Sequence, residues 1–412
     1  MRYNRKYRFN LVFFVVFFCM MLSLNKYANA LPIVNLYKSG ADNTGKKDIS
    51  ALFQNLIDKL YESGGGSIFI PAGTYRIGYT IFVPSHIKIY GEYKKTIIKA
   101  NISVSEGRCA FLVGDSHEVN YNVVKRMQKA NTKGWPANPD YADIKMLEGL
   151  NLLSTDKRIK TRNSSIQNLL IMFDYTPCKS NWGGYGIQFS NAANCYAKNI
   201  WTMNACQAIG IGSDTPPSSP ACVNVSCYNI HVIIPDMVHT YYAIGFISNS
   251  NNCSINNADS YHSCSPDSPD GSLVGMNFSK NCSIKNIKGV VGRSKTSEGI
   301  LLNNSYGCLV ENIEISNAIK GISVSFTDYD QLIKFNSLTN IINNVKIKDS
   351  ENGICLLSKY TSFNNINLTN CKFALTYNIN ATNNTFSGFA NYLGSLKDSD
   401  KKWIIEHNTI KN

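Results

Sequence analysis

Short apolar runs separated by Asn- and Ser-rich turns recur along the chain from about residue 164 onward. Aligning GIQF at Gly186 with the later runs AIGI, AIGF, GMNF, GILL, GISV and GICL gives intervals of 22 to 35 residues. A period of this length, built from short strands without helical segments, predicts a β-solenoid in which each repeat is one coil. Asn suits the corners of such coils because it tolerates a left-handed backbone and can form ladders of side chains.

The segment from residue 31 to residue 100 has a different pattern. Apolar residues from Ile49 to Leu60 fall at helical spacing and predict a helix over residues 48–62, with Asp48 as its N-cap. The glycines at 64–66 end this helix. Four alternating stretches then predict strands at Ser67–Ile77, Thr80–Pro84, His86–Tyr93 and Thr96–Ala100.

Twelve of the thirteen cysteines lie after residue 30. Five of them recur at intervals of 26 to 31 residues, which is close to the period of the repeats: Cys195, Cys222, Cys253, Cys282 and Cys308. The spacing favours a column of small buried thiols inside the solenoid. Disulfides between successive coils are the alternative, since a strand spacing of about 4.8 Å lies within the Cα separation that a disulfide tolerates.

The first thirty residues have the pattern of an export signal. A basic segment, Met1–Phe9, precedes an apolar run of about 15 residues and the small-residue sequence Ala28-Asn29-Ala30. The apolar run is shorter than the ~20 residues that a membrane span needs. We therefore predict a cleaved signal peptide, no stable membrane anchor, and a secreted or periplasmic protein. The net charge of +13 includes +5 from this segment, and the remainder is dispersed, which disfavours a nucleic-acid partner.

Four regions follow from these patterns. They are a signal peptide (1–30), an N-terminal cap with the first coils (31–100), a coil with a lateral loop (101–163), and the repeats with a C-terminal cap (164–412). The loop is predicted because residues 115–160 are charged, contain Trp and Pro, and interrupt the period. After about residue 371 the strand character persists but the period is lost, as a terminal cap requires.

Several motifs follow one another between residues 35 and 100. They are GADNTG at Gly40, the three glycines after the helix, IPAGTY at Ile70 and IYGE at Ile89. In these motifs the segment resembles the N-terminal part of the pectate-lyase-like superfamily, which includes polygalacturonases and phage tailspike depolymerases. The resemblance implies an all-β protein with a right-handed parallel β-helix, capped at its N-terminal end by the helix of residues 48–62. Together with the repeats it covers most of the mature chain.

Charged residues that could carry chemistry concentrate between residues 214 and 298. The order Asp214, Asp236, His262, Arg293-x-Lys295 is similar to the order of the polygalacturonase motifs. The Asp-Asp pair and the Gly-His-Gly of that family are missing, because Pro235-Asp236 and Tyr261-His262-Ser263 stand in their places. The resemblance implies that Asp214 and Asp236 are the general acid and the base that activates water. His262 would then orient them, and Arg293 and Lys295 would hold a sugar carboxylate.

Further residues in the same region are candidates for substrate binding. They are Tyr261, Asp267, Asp270 and Glu298. The aspartates in SPDSPDG are equally typical of turns, and the charged GRSKTSEG segment is equally typical of an exposed corner. Trp182, Tyr185 and Trp201 either stack on sugar rings or pack within the fold.

The favoured function is a secreted glycoside hydrolase that degrades an acidic polysaccharide. A lyase or epimerase acting on uronates, with Tyr261 and His262 near acids, is the first alternative, and a non-catalytic polysaccharide-binding protein is the second. No cofactor or metal is expected for a hydrolase. For a lyase, calcium held by Asp259, Asp267 and Asp270 is an option that the resemblance raises. The partner is the polysaccharide, and the protein is expected to be a monomer or a homotrimer.

Overall fold

A computed structural model describes residues 31–102, 109–114, 161–173, 184–212, 222–233, 242–260, 271–291, 297–325, 339–378, 381–388 and 396–411. Its strands form three sheets of sixteen, ten and four strands, here called sheets A, B and C. Every strand pairing between the described residues is parallel. The repeats therefore wind as a right-handed parallel β-helix, the fold class that the sequence predicts.

Sheet A contains the longest strands and one strand from almost every coil. Its main path runs through β1 (Ile33–Asn35), β3 (Gly66–Ile70), β6 (Ile87–Gly91), β10 (Ser165–Phe173), β13 (Tyr196–Met203), β16 (Ser226–Ile233), β19 (Ser254–Ser260), β21 (Ser283–Val290), β23 (Leu309–Ser316), β25 (Asn340–Lys348), β27 (Thr361–Thr369), β29 (Thr385–Ser387) and β30 (Thr409–Lys411). A side branch of β2 (Thr44–Asp48), β4 (Gly73–Ile77) and β7 (Thr96–Ala100) joins it at β10.

Sheets B and C complete the coils. Sheet B holds β5 (Ile81–Val83), β8 (Cys109–Gly114), β11 (Tyr185–Ser190), β14 (Gln207–Gly212), β17 (Tyr242–Ser248), β20 (Ser272–Asn277), β22 (Glu298–Asn303), β24 (Lys320–Ser325), β26 (Asn352–Leu357) and β28 (Phe373–Tyr377). Sheet C holds β9 (Thr161–Arg162), β12 (Ala192–Ala193), β15 (Cys222–Val223) and β18 (Ser250–Asn251). The seven aligned apolar runs of the repeats are the sheet B strands from β11 to β26, which confirms one coil per repeat.

The core lies between the sheets and is built from stacked side chains in register. On sheet A, for example, Ile200 pairs with Ile230, and Ile287 pairs with Ile313, and all four are fully or almost fully buried. Burial of one such side chain contributes about 1.5–3 kcal/mol. Since each coil adds several, the stability of the solenoid grows coil by coil.

A left-handed Asn bends eight consecutive strands of sheet A at the same position. These residues have φ between 50° and 60° and are Asn168, Asn199, Asn229, Asn257, Asn286, Asn312, Asn344 and Asn365. Most of their amides are linked from coil to coil: Asn199 Nδ2 donates to Asn168 Oδ1 at 2.8 Å, and Asn229 Nδ2 donates to Asn199 Oδ1 at 2.8 Å. The exception is Asn286, whose Nδ2 donates to Asn256 Oδ1 at 2.8 Å. The predicted corner asparagines and their side-chain ladder are confirmed.

A column of buried thiols lies at the turn that leads into sheet A. Cys195, Cys253, Cys282 and Cys308 each stand one residue before a sheet A strand, and all four are buried. The backbone N–H of Cys253 donates to Cys282 Sγ at 3.3 Å. The sulfur thus accepts a hydrogen bond from a backbone group that lies just outside the strand ladder of sheet A. The prediction is wrong for Cys222, which belongs to sheet C. Val225 takes the position in that coil, because the repeats differ in length before this turn.

Buried thiol and phenol groups in the core make the stability of the fold sensitive to high pH. Burial raises the pKa of the Cys227 thiol above its ordinary value and raises the pKa of Tyr75 to about 12. Above pH ~8.5 for a thiol, and above ~10 for a tyrosine, the unfolded chain releases protons that the folded chain still holds. We expect the free energy of unfolding in urea to fall from pH 8 to pH 11, and less steeply in Cys227→Ala. An unchanged free energy over this range would contradict the expectation.

A helix closes the N-terminal end, and a second helix lies near the C-terminus. Helix α1 (Ser50–Glu62) begins two residues later than predicted, and Asp48 is therefore not its N-cap residue. The Asp48 carboxylate still accepts the N–H of Ser50, the first helical residue, at 2.8 Å. Helix α2 (Asp398–His407) was not predicted, because Ile404 is its only buried residue and gives no helical periodicity.

The predicted lateral loop, residues 115–160, lies outside the described residues. Strand β8 of the same predicted region is part of sheet B. Among the helices that the structure describes, none has the length and apolar character needed to cross a membrane.

Candidate functional site

Most of the residues predicted from the sequence as a site lie outside the described residues. They are Asp214, Asp236, Tyr261, His262, Asp267, Asp270, Arg293 and Lys295. Their roles therefore stay predictions. The structure gives the positions of the strands that precede them in the sequence.

These strands end at two different corners of the coil. Asp236 follows the last residue of β16, Ile233, and Tyr261 follows Ser260 of β19 directly. Ser260 is paired with β21, the strand that precedes Arg293, so these chain segments leave sheet A from successive coils at one edge. Asp214 instead follows Gly212 at the end of β14 in sheet B. The ends of β16, β19 and β21 therefore lie at one corner of the coil, and the end of β14 lies at another.

One of the rows of outward side chains on sheet A lies between the left-handed asparagines and this edge. Each member stands two residues after a left-handed Asn and pairs in register with the member on the next coil. We call this row the outer column: Leu170, Trp201, His231, Asp259, Lys288, Glu314, Lys346 and Asn367. Neighbours in the column are separated by about 4.8 Å along the solenoid axis.

His231 and Asp259 form the tightest polar contact of the outer column. His231 Nδ1 lies 2.7 Å from Asp259 Oδ2, and its Nε2 lies 3.1 Å from Asn229 Oδ1. The orientation of the Asn229 amide is fixed, because its oxygen also accepts from Asn257 Nδ2 at 3.0 Å and its nitrogen donates to the preceding Asn. Both ring nitrogens thus face oxygen acceptors. Nδ1 faces the Asp259 carboxylate and Nε2 faces the Asn229 side-chain oxygen, so the two contacts together fix the plane of the ring.

Trp201 packs against the ring of His231. Its ring stacks on His231 with centroids 4.2 Å apart and an interplanar angle of 26°. From the opposite direction along the solenoid, Lys94 Nζ lies 4.9 Å from the Trp201 ring centroid. A cation on an indole face is stabilising. Since both faces are occupied, Trp201 fixes the position of His231 rather than offering a free platform for a sugar ring.

Asp259 is the residue of this group whose carboxylate is available to a ligand. Its side chain is 38% exposed, against 17% for His231, and its Oδ1 accepts no hydrogen bond from a described residue. The imidazole therefore orients the carboxylate and leaves one oxygen directed outward. A carboxylate held in this way can accept a proton from water or from a substrate carbon. In the calcium cluster that the resemblance raised, Asp259 is the described member, and it contacts His231.

Glu298 is the one predicted substrate-binding residue that the structure describes. It begins β22, and its Oε1 lies 3.1 Å from Lys320 Nζ, with its side chain 12% exposed. This ion pair accounts for its charge within sheet B. Its role in substrate binding stays a prediction.

Sequence reasoning missed His231. The signal was present in the repeats, since aligning the left-handed asparagines gives NLL, NIW, NIH, NAD, NIK, NIE, NVK and NIN, whose third residues form the outer column. The apolar runs of sheet B drew the alignment to a different strand, so the outward position of sheet A was not compared between coils.

Comparison with known proteins supports the fold. A family model described as rhamnogalacturonase A/epimerase, pectate lyase-like, matches residues 33–232. No curated protein matches the chain by sequence. The matched range includes Trp201 and His231 and ends before Asp259.

Among solved structures, the chain is similar to the tailspike protein of E. coli bacteriophage HK620. A doubly substituted tailspike in complex with a pentasaccharide gives a TM-score of 0.55 at 13% identity, over 86% of this chain and 61% of that chain. Another structure of the tailspike with pentasaccharide gives 0.52 at 12% identity, over 86% and 65%. The A-module of the mannuronan C-5 epimerase AlgE4 of Azotobacter vinelandii aligns over 87% and 100% at 13% identity, with a TM-score of 0.41. At this level of identity the likeness concerns the fold, and the chain spans less than two thirds of the tailspike length.

Proposed function

Because the chain belongs to the pectate-lyase-like superfamily of right-handed parallel β-helices, we propose that it is an exported enzyme that acts on an acidic polysaccharide. Within this proposal the reaction is hydrolysis of a glycosidic bond. Since one fold hosts many chemistries, the argument for the reaction has to come from the site.

The observation that carries the proposal is the orientation of Asp259 by His231 on the outer face of sheet A. The contact is 2.7 Å long, and the free Oδ1 lies in a column of polar and charged side chains. Strands β16 and β19, which precede Asp236 and His262 in the sequence, end at the adjacent edge of the same sheet. Support also comes from the tailspike of similar fold, which is described in complex with a pentasaccharide.

In the proposed hydrolysis two carboxyl groups share the work. Asp236 donates a proton to the leaving glycosidic oxygen, and Asp259 accepts a proton from the water that attacks the anomeric carbon. His231 holds Asp259 in place, and His262 orients Asp236. Arg293 and Lys295 bind the carboxylate of an acidic sugar, for which the planar guanidinium offers paired hydrogen bonds. Asp214 remains the alternative partner that the resemblance implies.

A uronate lyase or epimerase is the second candidate, and the same contact supports it. A carboxylate with one oriented and one free oxygen suits removal of the proton from the carbon next to a sugar carboxylate. A cation at that carboxylate then stabilises the negative charge that develops. The two candidates use the same substrate class and differ in the product.

The test is a screen of the purified mature protein against acidic polysaccharides, with reducing ends and ultraviolet absorbance followed together. We expect new reducing ends without absorbance, because hydrolysis adds water and leaves no double bond. A parallel rise of both signals would establish the lyase instead. Conversion without chain cleavage, seen by proton NMR of the sugar, would establish the epimerase. Silence in all three measurements on every polymer would refute the enzymatic proposal and leave a binding protein.

A further inference from the structure

A shallow groove lies on the outer face of sheet A, two to four coils beyond His231. Its volume is 220 Å³, and it runs across β21, β23 and β25. The left-handed asparagines line one wall and the outer column lines the other, over a floor that includes Ile287 and Ile313. In each of the three strands the groove is lined at the position where a left-handed Asn interrupts the extended backbone.

The amide wall offers regularly spaced hydrogen-bonding groups. Asn312 Nδ2 donates to Asn286 Oδ1 at 2.9 Å, and Asn344 Nδ2 donates to Asn312 Oδ1 at 2.6 Å. Each of these links uses one of the two N–H groups of the donor and one of the two lone pairs of the acceptor. The unused N–H groups and lone pairs repeat once per coil, which suits the hydroxyl groups of a chain of sugars.

The opposite wall alternates in charge. Lys288, Glu314 and Lys346 succeed one another in register, so the two lysines are separated by about 9.6 Å, which is two strand spacings. Lys288 Nζ lies 3.5 Å from Glu314 Oε2, with the lysine side chain 73% exposed. Such an exposed pair contributes little, so the lysine can turn to a ligand at small cost. Lys346 makes no ion pair with a described residue.

We propose that this groove binds a polysaccharide that carries a carboxylate on every second sugar. The proposal rests on the proposed function, in that the outer face of sheet A receives the polysaccharide. An extended chain of pyranoses advances by about one coil rise per sugar, so sugars that lie on the groove meet its wall residues one by one. Lys288 and Lys346 attract carboxylates two sugars apart, and Glu314 faces the sugar between them.

Glu314 is the residue that sets the specificity. A homopolymer with a carboxylate on every sugar places one of them against Glu314, and like charges at this distance repel. A neutral sugar at the same place offers hydroxyl groups that Glu314 can accept as hydrogen bonds. The discrimination therefore comes from an unfavourable contact with the wrong polymer as well as from favourable contacts with the right one.

The experiment compares dissociation constants by affinity electrophoresis for two probes, hyaluronan for the alternating pattern and polygalacturonate for the homopolymer. We expect Lys346→Ala to weaken binding of hyaluronan about fivefold, in the range of one exposed charge contact. Lys348→Ala is the matched control, since it removes the same charge from the same strand outside the groove, and it should leave binding unchanged. Glu314→Gln should strengthen binding of polygalacturonate on the order of fivefold, and more than that of hyaluronan.

Two outcomes overturn the inference while the proposed function stands. One is binding of acidic polymers by the wild type with equal effects of Lys346→Ala and Lys348→Ala. The other is an unchanged preference between the two probes in Glu314→Gln. Failure of the wild type to bind or convert any acidic polymer overturns the proposed function itself. Circular dichroism and the midpoint of thermal unfolding, measured on each variant, exclude misfolding as the cause of a loss.

Discussion

Asp259→Asn is expected to lower turnover of an acidic polysaccharide by about 10²–10⁴-fold, the usual contribution of a positioned general base. The substitution keeps the shape of the side chain, and its amide still reaches His231, but it removes the negative charge and the proton-accepting oxygen. Steady-state kinetics should show the loss in kcat, with KM changed little, since the carboxylate acts on the reacting atoms. A conversion rate within threefold of the wild type would exclude Asp259 from the chemistry.

Two further variants separate the roles in this contact. His231→Ala should lose less activity than Asp259→Asn, because the carboxylate remains but is no longer oriented. His231→Gln should restore part of the loss, since its amide can donate to Asp259 in place of Nδ1. Asp398→Asn is the matched control, because the same substitution at the fully exposed Asp398 of helix α2 should leave turnover unchanged. Equal losses in His231→Ala and His231→Gln would argue against a positioning role.

Phe363→Ala is expected to lower the free energy of unfolding by about 3–5 kcal/mol. Phe363 is fully buried in β27, and its ring stacks on that of Phe386 on the next coil, with centroids 5.1 Å apart and an interplanar angle of 6°. Truncation leaves a cavity between the last coils, which the rigid in-register strands cannot close. Urea unfolding followed by circular dichroism measures the change.

The comparison in the next strand along the chain is Phe373→Ala. This ring is 46% exposed at the start of β28, with Lys372 Nζ 5.1 Å from its centroid. We expect a change within about 0.5 kcal/mol, as for most surface substitutions. Similar losses for both variants would mean that the terminal coils are not packed as described.

The repeats and the N-terminal helix could be predicted because they depend on local pattern. Apolar residues such as Ile187 and Ile209 recur once per coil, and the face of α1 that contains Phe53 and Ile57 has helical spacing. The existence of a cysteine column was predicted correctly, but Cys222 was wrongly assigned to it. The error arose because interval counting ignores a connection of variable length, whereas the column consists of the residues directly before the sheet A strands.

The candidate site was harder to predict because it depends on which coils are neighbours. His231 and Asp259 are 28 residues apart and meet only when β16 pairs with β19 in the observed register. A shift of one residue in that pairing would turn one of them inward. Resemblance to the polygalacturonase motifs drew the prediction to residues after the strands, and the outward position within the strands carries no motif of its own.

The left-handed Asn of each sheet A strand has a consequence for how this surface can change. The Asn has the left-handed backbone and the residue after it is buried, whereas the next side chain is exposed, to 73% at Lys288 and 43% at Glu314. Each coil therefore contributes one replaceable side chain to the row along the solenoid axis. Loss or duplication of a whole coil would keep the fold and shift every later side chain of this row by one position along the axis. A new order of charges, and with it a new ligand, could therefore arise in a single genetic event.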